Sequence, residues 1–197
     1  MLSWGIGDVI GTASIGWLKV KIHKKMSIHG GMIMQNGRIR KAYADDLGAI
    51  LRIYNQGIED RIATLETEIK DRAYMESWFQ EHQGRYVVLV AEMEEEIVGW
   101  ASLNRYSHRC AYNGVADLSI YIDRAFRGKG IGSILLKELE KEAKANQFHK
   151  IVLFTFPFNH MGQGLYGKMG YREVGIFKNQ GILDEKLVDV AAMEKLL

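Results

Sequence analysis

A single cysteine and a single proline in 197 residues set the first limits on this chain. Cys110 has no partner for an intrachain disulfide, and a lone thiol argues against a structural zinc site. His108, His149 and His160 fall at no metal-ligand spacing, so no metal is expected. A reducing cytoplasm is the simplest home. The sequence has no run of about 20 clean apolar residues, which a membrane-spanning helix would need. The opening residues also fit a secretory signal poorly, because their basic cluster follows the apolar part instead of preceding it.

Excess charge is lacking too. The net charge is +2, and residues 1–41 carry seven Lys/Arg against one acid (+6), which leaves 19 against 23 (−4) for the remainder. The slight basicity therefore belongs to the leading segment, and the body gives no reason to expect a nucleic-acid partner. An apolar fraction of 47% with 25% charged residues suits a soluble globular enzyme, and the length suits one well-cored domain. No repeat or low-complexity linker divides that body.

The most informative stretch covers residues 117–136, DLSIYIDRAFRGKGIGSILL. Leu118, Ile120 and Ile122 alternate with Ser119, Tyr121 and Asp123, which predicts a strand with one apolar face. Arg127, Gly128, Lys129, Gly130, Ile131 and Gly132 then form a glycine-rich turn. Ile134, Leu135, Leu136 and Leu139 begin a helical stripe. The turn therefore sits at a helix N-terminus, where backbone N–H groups lack intrahelical partners and the helix dipole adds positive charge. A diphosphate is the natural guest, with Arg127 and Lys129 adding side-chain charge, although a glycine cluster alone is equally a tight connection. The lysine followed by Ser/Thr of a nucleoside-triphosphate loop is absent. So is the acidic residue that ends the second strand of a Rossmann dinucleotide site.

Residues 1–36 mix glycine with scattered apolar residues and are expected to be a non-catalytic extension, with a weak peripheral membrane anchor as the alternative. The domain proper is expected over 37–197. Residues 38–42 form a short strand, and Asp45 or Asp46 can cap a helix carrying Leu47, Ile50, Leu51, Ile53 and Tyr54. Residues 58–67 lack periodicity and predict a loop across the acceptor side. Residues 71–81 predict a second helix. Residues 86–92 and 97–103 make a hairpin with the acidic run at 94–96 as its tip. Residues 150–156 are a buried strand closed by Pro157. A helix over 159–169 follows, and residues 173–178 and 186–197 form a closing antiparallel pair.

Arg127, Gly130 and Gly132 match Gln/Arg-x-x-Gly-x-Gly/Ala, the acetyl-CoA loop of the GNAT superfamily of N-acetyltransferases, which this segment resembles. A second segment, NHMGQGLYGKMGY over residues 159–171, is similar to another motif of that superfamily at Asn159, Gly162, Leu165, Tyr166, Gly170 and Tyr171. The two motifs stand in the superfamily's order. The resemblance implies the GNAT acyl-CoA N-acyltransferase fold over roughly residues 38–193. This is an α/β (α+β) architecture with a mixed, mostly antiparallel sheet of six to seven strands and helices on both faces. It also implies acetyl-CoA as co-substrate, direct transfer to an amine, and a homodimer.

By the same resemblance Ser119, Ile120 and Tyr121 lie on a strand that splays from its neighbour and offers main-chain groups to the pantetheine arm, one of them an N–H for the oxyanion. Arg127 to Gly132 would hold the diphosphate. Asn159 would hold pantetheine or the loop, or else cap its helix. Tyr166 is the candidate acid for the departing thiolate, with an aromatic filler as the alternative. Within the superfamily, Arg109-Cys110-Ala111-Tyr112 and Ala116-Asp117 before the Ser119–Ile122 strand resemble the phosphinothricin N-acetyltransferase subfamily. In that subfamily Arg109 and Tyr112 would meet the acceptor's carboxylate. Asp117 takes the place of the expected glutamate as general base, provided that burial lifts its pKa toward neutrality. The implied acceptor is a small amino acid or analogue such as phosphinothricin or methionine sulfone or sulfoximine. The alternatives are a peptide N-terminus, or a non-catalytic acyl-CoA sensor.

Overall fold

A computed structural model describes residues 33–34 and 37–197. The expected extension over 1–36 lies outside the described residues except for Ile33–Met34, which pairs with the first strand of the body. The elements in chain order are β1 (Ile33–Met34), β2 (Gly37–Lys41), α1 (Leu47–Glu59), α2 (Arg72–Glu81), β3 (Val88–Met93) and β4 (Glu96–Arg105). They continue with β5 (Val115–Ile122), α3 (Ile131–Ala145), β6 (Lys150–Thr155), α4 (His160–Lys168), β7 (Arg172–Leu183) and β8 (Lys186–Leu196). They form one sheet in the order β1-β2-β3-β4-β5-β6-β8-β7. Among the described residues its only parallel pair is β5 with β6. This is the mixed, mostly antiparallel sheet that was expected, with seven strands of five residues or more and the two-residue β1 at the edge.

Alternation along the central strands buries both faces of the sheet. Leu89, Ala101, Leu103 and Leu118 meet Leu135, Leu136 and Leu139 of α3 on one side. Val88, Val90 and Trp100 meet Ile50 and Ile53 of α1 and Met75 of α2 on the other. Each large aliphatic side chain removed from water in this way contributes about 1.5–3 kcal/mol.

Asp71 caps α2 by accepting from the Tyr74 N–H at 2.8 Å. Asp46 does not cap α1. Its carboxylate turns back to the Tyr43 N–H at 2.8 Å and to Arg40 at 2.7 and 2.9 Å, and this ties the start of α1 to β2. Ile58, expected in a loop, is the buried last apolar residue of α1, and the irregular segment starts two residues later, at Asp60. β7 extends past the expected end at residue 178, made irregular between Glu173 and Gly175 and between Phe177 and Gly181. No helix of the described residues is long and apolar enough to cross a membrane.

Candidate active site

β5 and β6 pair over only three residues, Val115 to Asp117 against Lys150 to Val152, and then part. β5 runs on to Ile122, still paired with β4, while β6 ends at Thr155 ahead of Pro157. The Asp123 N–H donates to the Val98 carbonyl at 2.9 Å. Antiparallel pairs alternate, so residues 117, 119, 121 and 123 turn their main-chain groups to β4, and Leu118, Ile120 and Ile122 turn theirs into the gap. Within the expected stretch from Ser119 to Tyr121 it is thus Ile120 that offers its backbone. The gap opens into a cleft of ≈ 640 Å³ lined by β5, the glycine turn, α4 and residues Ile62 to Leu65 of the expected acceptor-side loop.

The glycine turn forms the far end of the cleft. Gly128 and Gly130 have φ of 74° and 83°, which L side chains rarely adopt, and Gly130 is the N-cap of α3. No intramolecular partner is found for the backbone N–H groups of residues 127–132 among the described residues. At Gly132 an added Cβ would come within 3.1 Å of Leu165, so the close approach there is to α4. Bare amides, a helix start and an open main chain fit a diphosphate-bearing arm.

Two expected phosphate ligands have other engagements. Arg127 donates from Nε to the Ile122 carbonyl at 3.0 Å and pairs through Nη1 with Asp60 at 2.6 Å. It therefore clamps the turn to the end of α1, and Arg124 adds contacts to Glu59 and Asp60. Lys129 sits with Nζ 4.7 Å from the Phe126 ring and does not line the cleft. Asn159 lines it, but its Oδ1 accepts from the Gly162 N–H at 3.0 Å and its Nδ2 donates to Thr155 Oγ1 at 3.1 Å. Its capping alternative is thus the one built into the fold. A Cβ at residue 162 would collide with that amide at 2.6 Å, which accounts for the glycine.

Asp117 and Tyr166 both line the cleft. Burial pushes the Asp117 carboxyl up to about 6, against a partial lowering by the Asn104 amide and the Leu118 N–H. Burial likewise raises Tyr166 well above the usual phenol range, with the nearby Asp117 charge adding to it. Arg109 and Tyr112 are not brought to the cleft. They lie exposed in the turn joining β4 to β5, and Tyr112 packs edge-on against Tyr106.

Several groups around Asp117 were not singled out from sequence. Register places Asn104 opposite Asp117, Ser102 opposite Ser119 and Trp100 opposite Tyr121. Asn104 Nδ2 reaches Asp117 Oδ2 at 3.3 Å and Ser119 Oγ at 2.9 Å, and His82 Nε2 lies 2.8 Å from Asn104 Oδ1. Beside them Tyr54, Tyr74, Trp78, Trp100 and Tyr121 form an aromatic wall. A polar residue at every second position of β4 near its end, Ser102 then Asn104, was the signal available in the sequence.

The pattern of the Acetyltransferase (GNAT) family matches residues 50–171, and the chain belongs to that family. It is 35% identical over 160 residues to YwnH of Bacillus subtilis, provisionally named a phosphinothricin acetyltransferase, covering 81% of this chain and 98% of that one. It is 28% identical over 158 residues to an L-methionine sulfoximine/L-methionine sulfone acetyltransferase of Pseudomonas paraeruginosa, covering 79% and 92%. A phosphinothricin acetyltransferase from Sinorhizobium meliloti, solved in complex with acetyl-CoA, superposes with a TM-score of 0.78 at 29% identity, covering 83% and 89%. The protein is an acetyl-CoA-dependent N-acetyltransferase.

The Asp117 carboxyl gives a stability test. Folded, it holds its proton more tightly than the unfolded chain does, so its contribution is full below about pH 4 and is lost as pH rises through about 6. Asp117→Asn, which cannot ionise, is expected to exceed wild type by up to about 3 kcal/mol at pH 8, with the gap closing toward pH 4. Urea unfolding at the two pH values checks this, and a gap that does not vary with pH would mean a solvated carboxylate.

Proposed function

We propose that the protein transfers the acetyl group of acetyl-CoA directly to the primary amine of a small amino acid or analogue of the phosphinothricin or methionine sulfone/sulfoximine type. The observation that carries this is a buried carboxyl raised to about 6, set where the splayed strand opens into the cleft. Near neutral pH Asp117 is then mostly ionised yet basic enough to take a proton from an ammonium group, through a water where the shorter side chain requires it.

Acetyl-CoA supplies an activated thioester carbonyl. The chain supplies the rest. Amides of residues 128–132 hold the diphosphate, and the Ile120 main chain aligns the arm and meets charge developing on the carbonyl oxygen. Asp117 takes one proton from the ammonium. Tyr166 gives one to the departing sulfur, and this is balanced by the second N–H proton released as the C–N bond forms. The acceptor's side chain would lie against the wall of Tyr54, Trp78, Trp100 and Tyr121. There the Trp100 indole N–H, buried without a partner among the described residues, offers a donor to a sulfone or phosphinate oxygen. The names of the relatives support this acceptor class. Arg109 and Tyr112, exposed in the β4–β5 turn outside the cleft, keep a role toward the acceptor's carboxylate only by the likeness to the phosphinothricin N-acetyltransferase subfamily.

We also infer a homodimer in a reducing cytoplasm. Val174, Ile176, Phe177, Ile182 and Leu187 leave an apolar face exposed on β7 and β8, and exposed Cys110 suits a reducing compartment.

Amino-acid analogues assayed against peptide N-termini, with thiol release as readout, are expected to favour the analogues. Turnover confined to peptides would overturn the acceptor, and no thiol release at all would leave a sensor. Tyr166→Phe should lower kcat by about 10²–10³-fold with little change in KM. Arg109→Ala should raise acceptor KM while sparing acetyl-CoA. Light scattering should give twice the chain mass of 22.4 kDa, and a monomer would exclude the dimer.

A further inference from the structure

His82 ends α2 with its imidazole 4.2 Å from the Trp78 ring, and both ring nitrogens face oxygen. Nδ1 lies 2.7 Å from the Trp78 carbonyl, and Nε2 lies 2.8 Å from the side-chain oxygen of Asn104. A neutral imidazole has one N–H, so it can satisfy only one of these two acceptors. The Asn104 oxygen also accepts from Ser102 Oγ at 2.7 Å, while the amide nitrogen serves Asp117 and Ser119.

Two arrangements satisfy every contact. In one, His82 carries both protons, Asn104 stands as described and Asp117 is ionised. In the other, the amide is turned by 180° and its NH2 donates to His82 Nε2 and Ser102, while its oxygen accepts from a protonated Asp117 and from Ser119. Both hold the same number of protons. With one proton fewer, an acceptor faces an acceptor somewhere along the chain.

We propose that His82 is a positioning residue for Asp117: through the Asn104 amide the two side chains share one proton, and the base that takes the amine proton is the whole His82–Asn104–Asp117 chain. This rests on the assignment of Asp117 as base. In the transfer, an ammonium N–H bond breaks and its electron pair stays on nitrogen for the new C–N bond. An O–H forms on Asp117 and relieves the acceptor–acceptor contact, and the proton then passes to solvent when product leaves. The titratable groups facing Asp117 from the surrounding elements are the phenols of Tyr121 and Tyr166. Facing His82 are Trp78 of its own helix and Asn104 of β4.

His82→Gln tests the sharing, because glutamine can donate to Asn104 and yet has no proton to exchange. The readout is the 13C carboxyl shift of Asp117 followed against pH in the protein without acceptor, alongside the pH profile of kcat/KM. His82→Ala serves as a second variant in case the first unfolds. Sharing predicts that the Asp117 midpoint and the acidic limb of the profile move to lower pH together, by about one pH unit or tenfold in proton affinity, at unchanged Tm. A carboxyl midpoint that stays put in a folded variant overturns the proposal and leaves acetyl transfer untouched. Wild-type kcat/KM in Asp117→Asn would instead remove Asp117 as base, while the carboxyl titration in His82→Gln would still report whether the proton is shared.

Discussion

Everything about this fold that matters for function follows from main-chain polar groups left without partners inside the protein. A strand between two neighbours has its N–H and C=O groups satisfied on both sides. β5 satisfies one side throughout and the other only over its first three residues and at the Ile122 carbonyl, which accepts from Arg127. Groups exposed in this way inside a partly buried cleft carry a free-energy cost until something fills the gap. The amides of the turn before α3 share that condition. The cleft is complementary to a ligand that is itself an amide-bearing chain ending in anionic oxygens, and the pantetheine and diphosphate of acetyl-CoA have that order.

Side-chain charge plays a different part from the one its sequence position suggests. The arginines of the turn are turned toward α1, where Arg124 and Arg127 pair with Glu59 and Asp60, and Arg52 pairs with Asp123. These contacts fix the turn against the helix that also walls the acceptor side. In the proposed mode, backbone dipoles that need no reorganisation meet the diphosphate. At the other end of the cleft, the burial that raises Asp117 is the burial that makes a polar neighbour such as Asn104 costly unless it is fully hydrogen-bonded.

The strands and the two motif segments were legible because each rests on local pattern: alternation, a glycine turn before an apolar stripe, a capping asparagine; the splay of β5 was legible only by likeness to a family. The position of Asp117 was legible by likeness to a family. What escaped was set by register. Asn104 lies 13 residues from Asp117 in sequence and directly opposite it in the sheet. His82, at the end of a helix, reaches both only through that pairing. The pairing of Arg127 with Asp60 escaped because the two are distant in sequence. Asp46 read as a cap because its pairing with Arg40 depends on how β2 meets α1.

Amide hydrogen exchange with and without acetyl-CoA examines the open main chain most directly. The account predicts that acetyl-CoA protects the Ile120 and Ile122 amides of β5 together with residues 128–132 of the turn, while the α2 and β3 amides change little. Protection confined to other segments, or none at saturating acetyl-CoA, would contradict it.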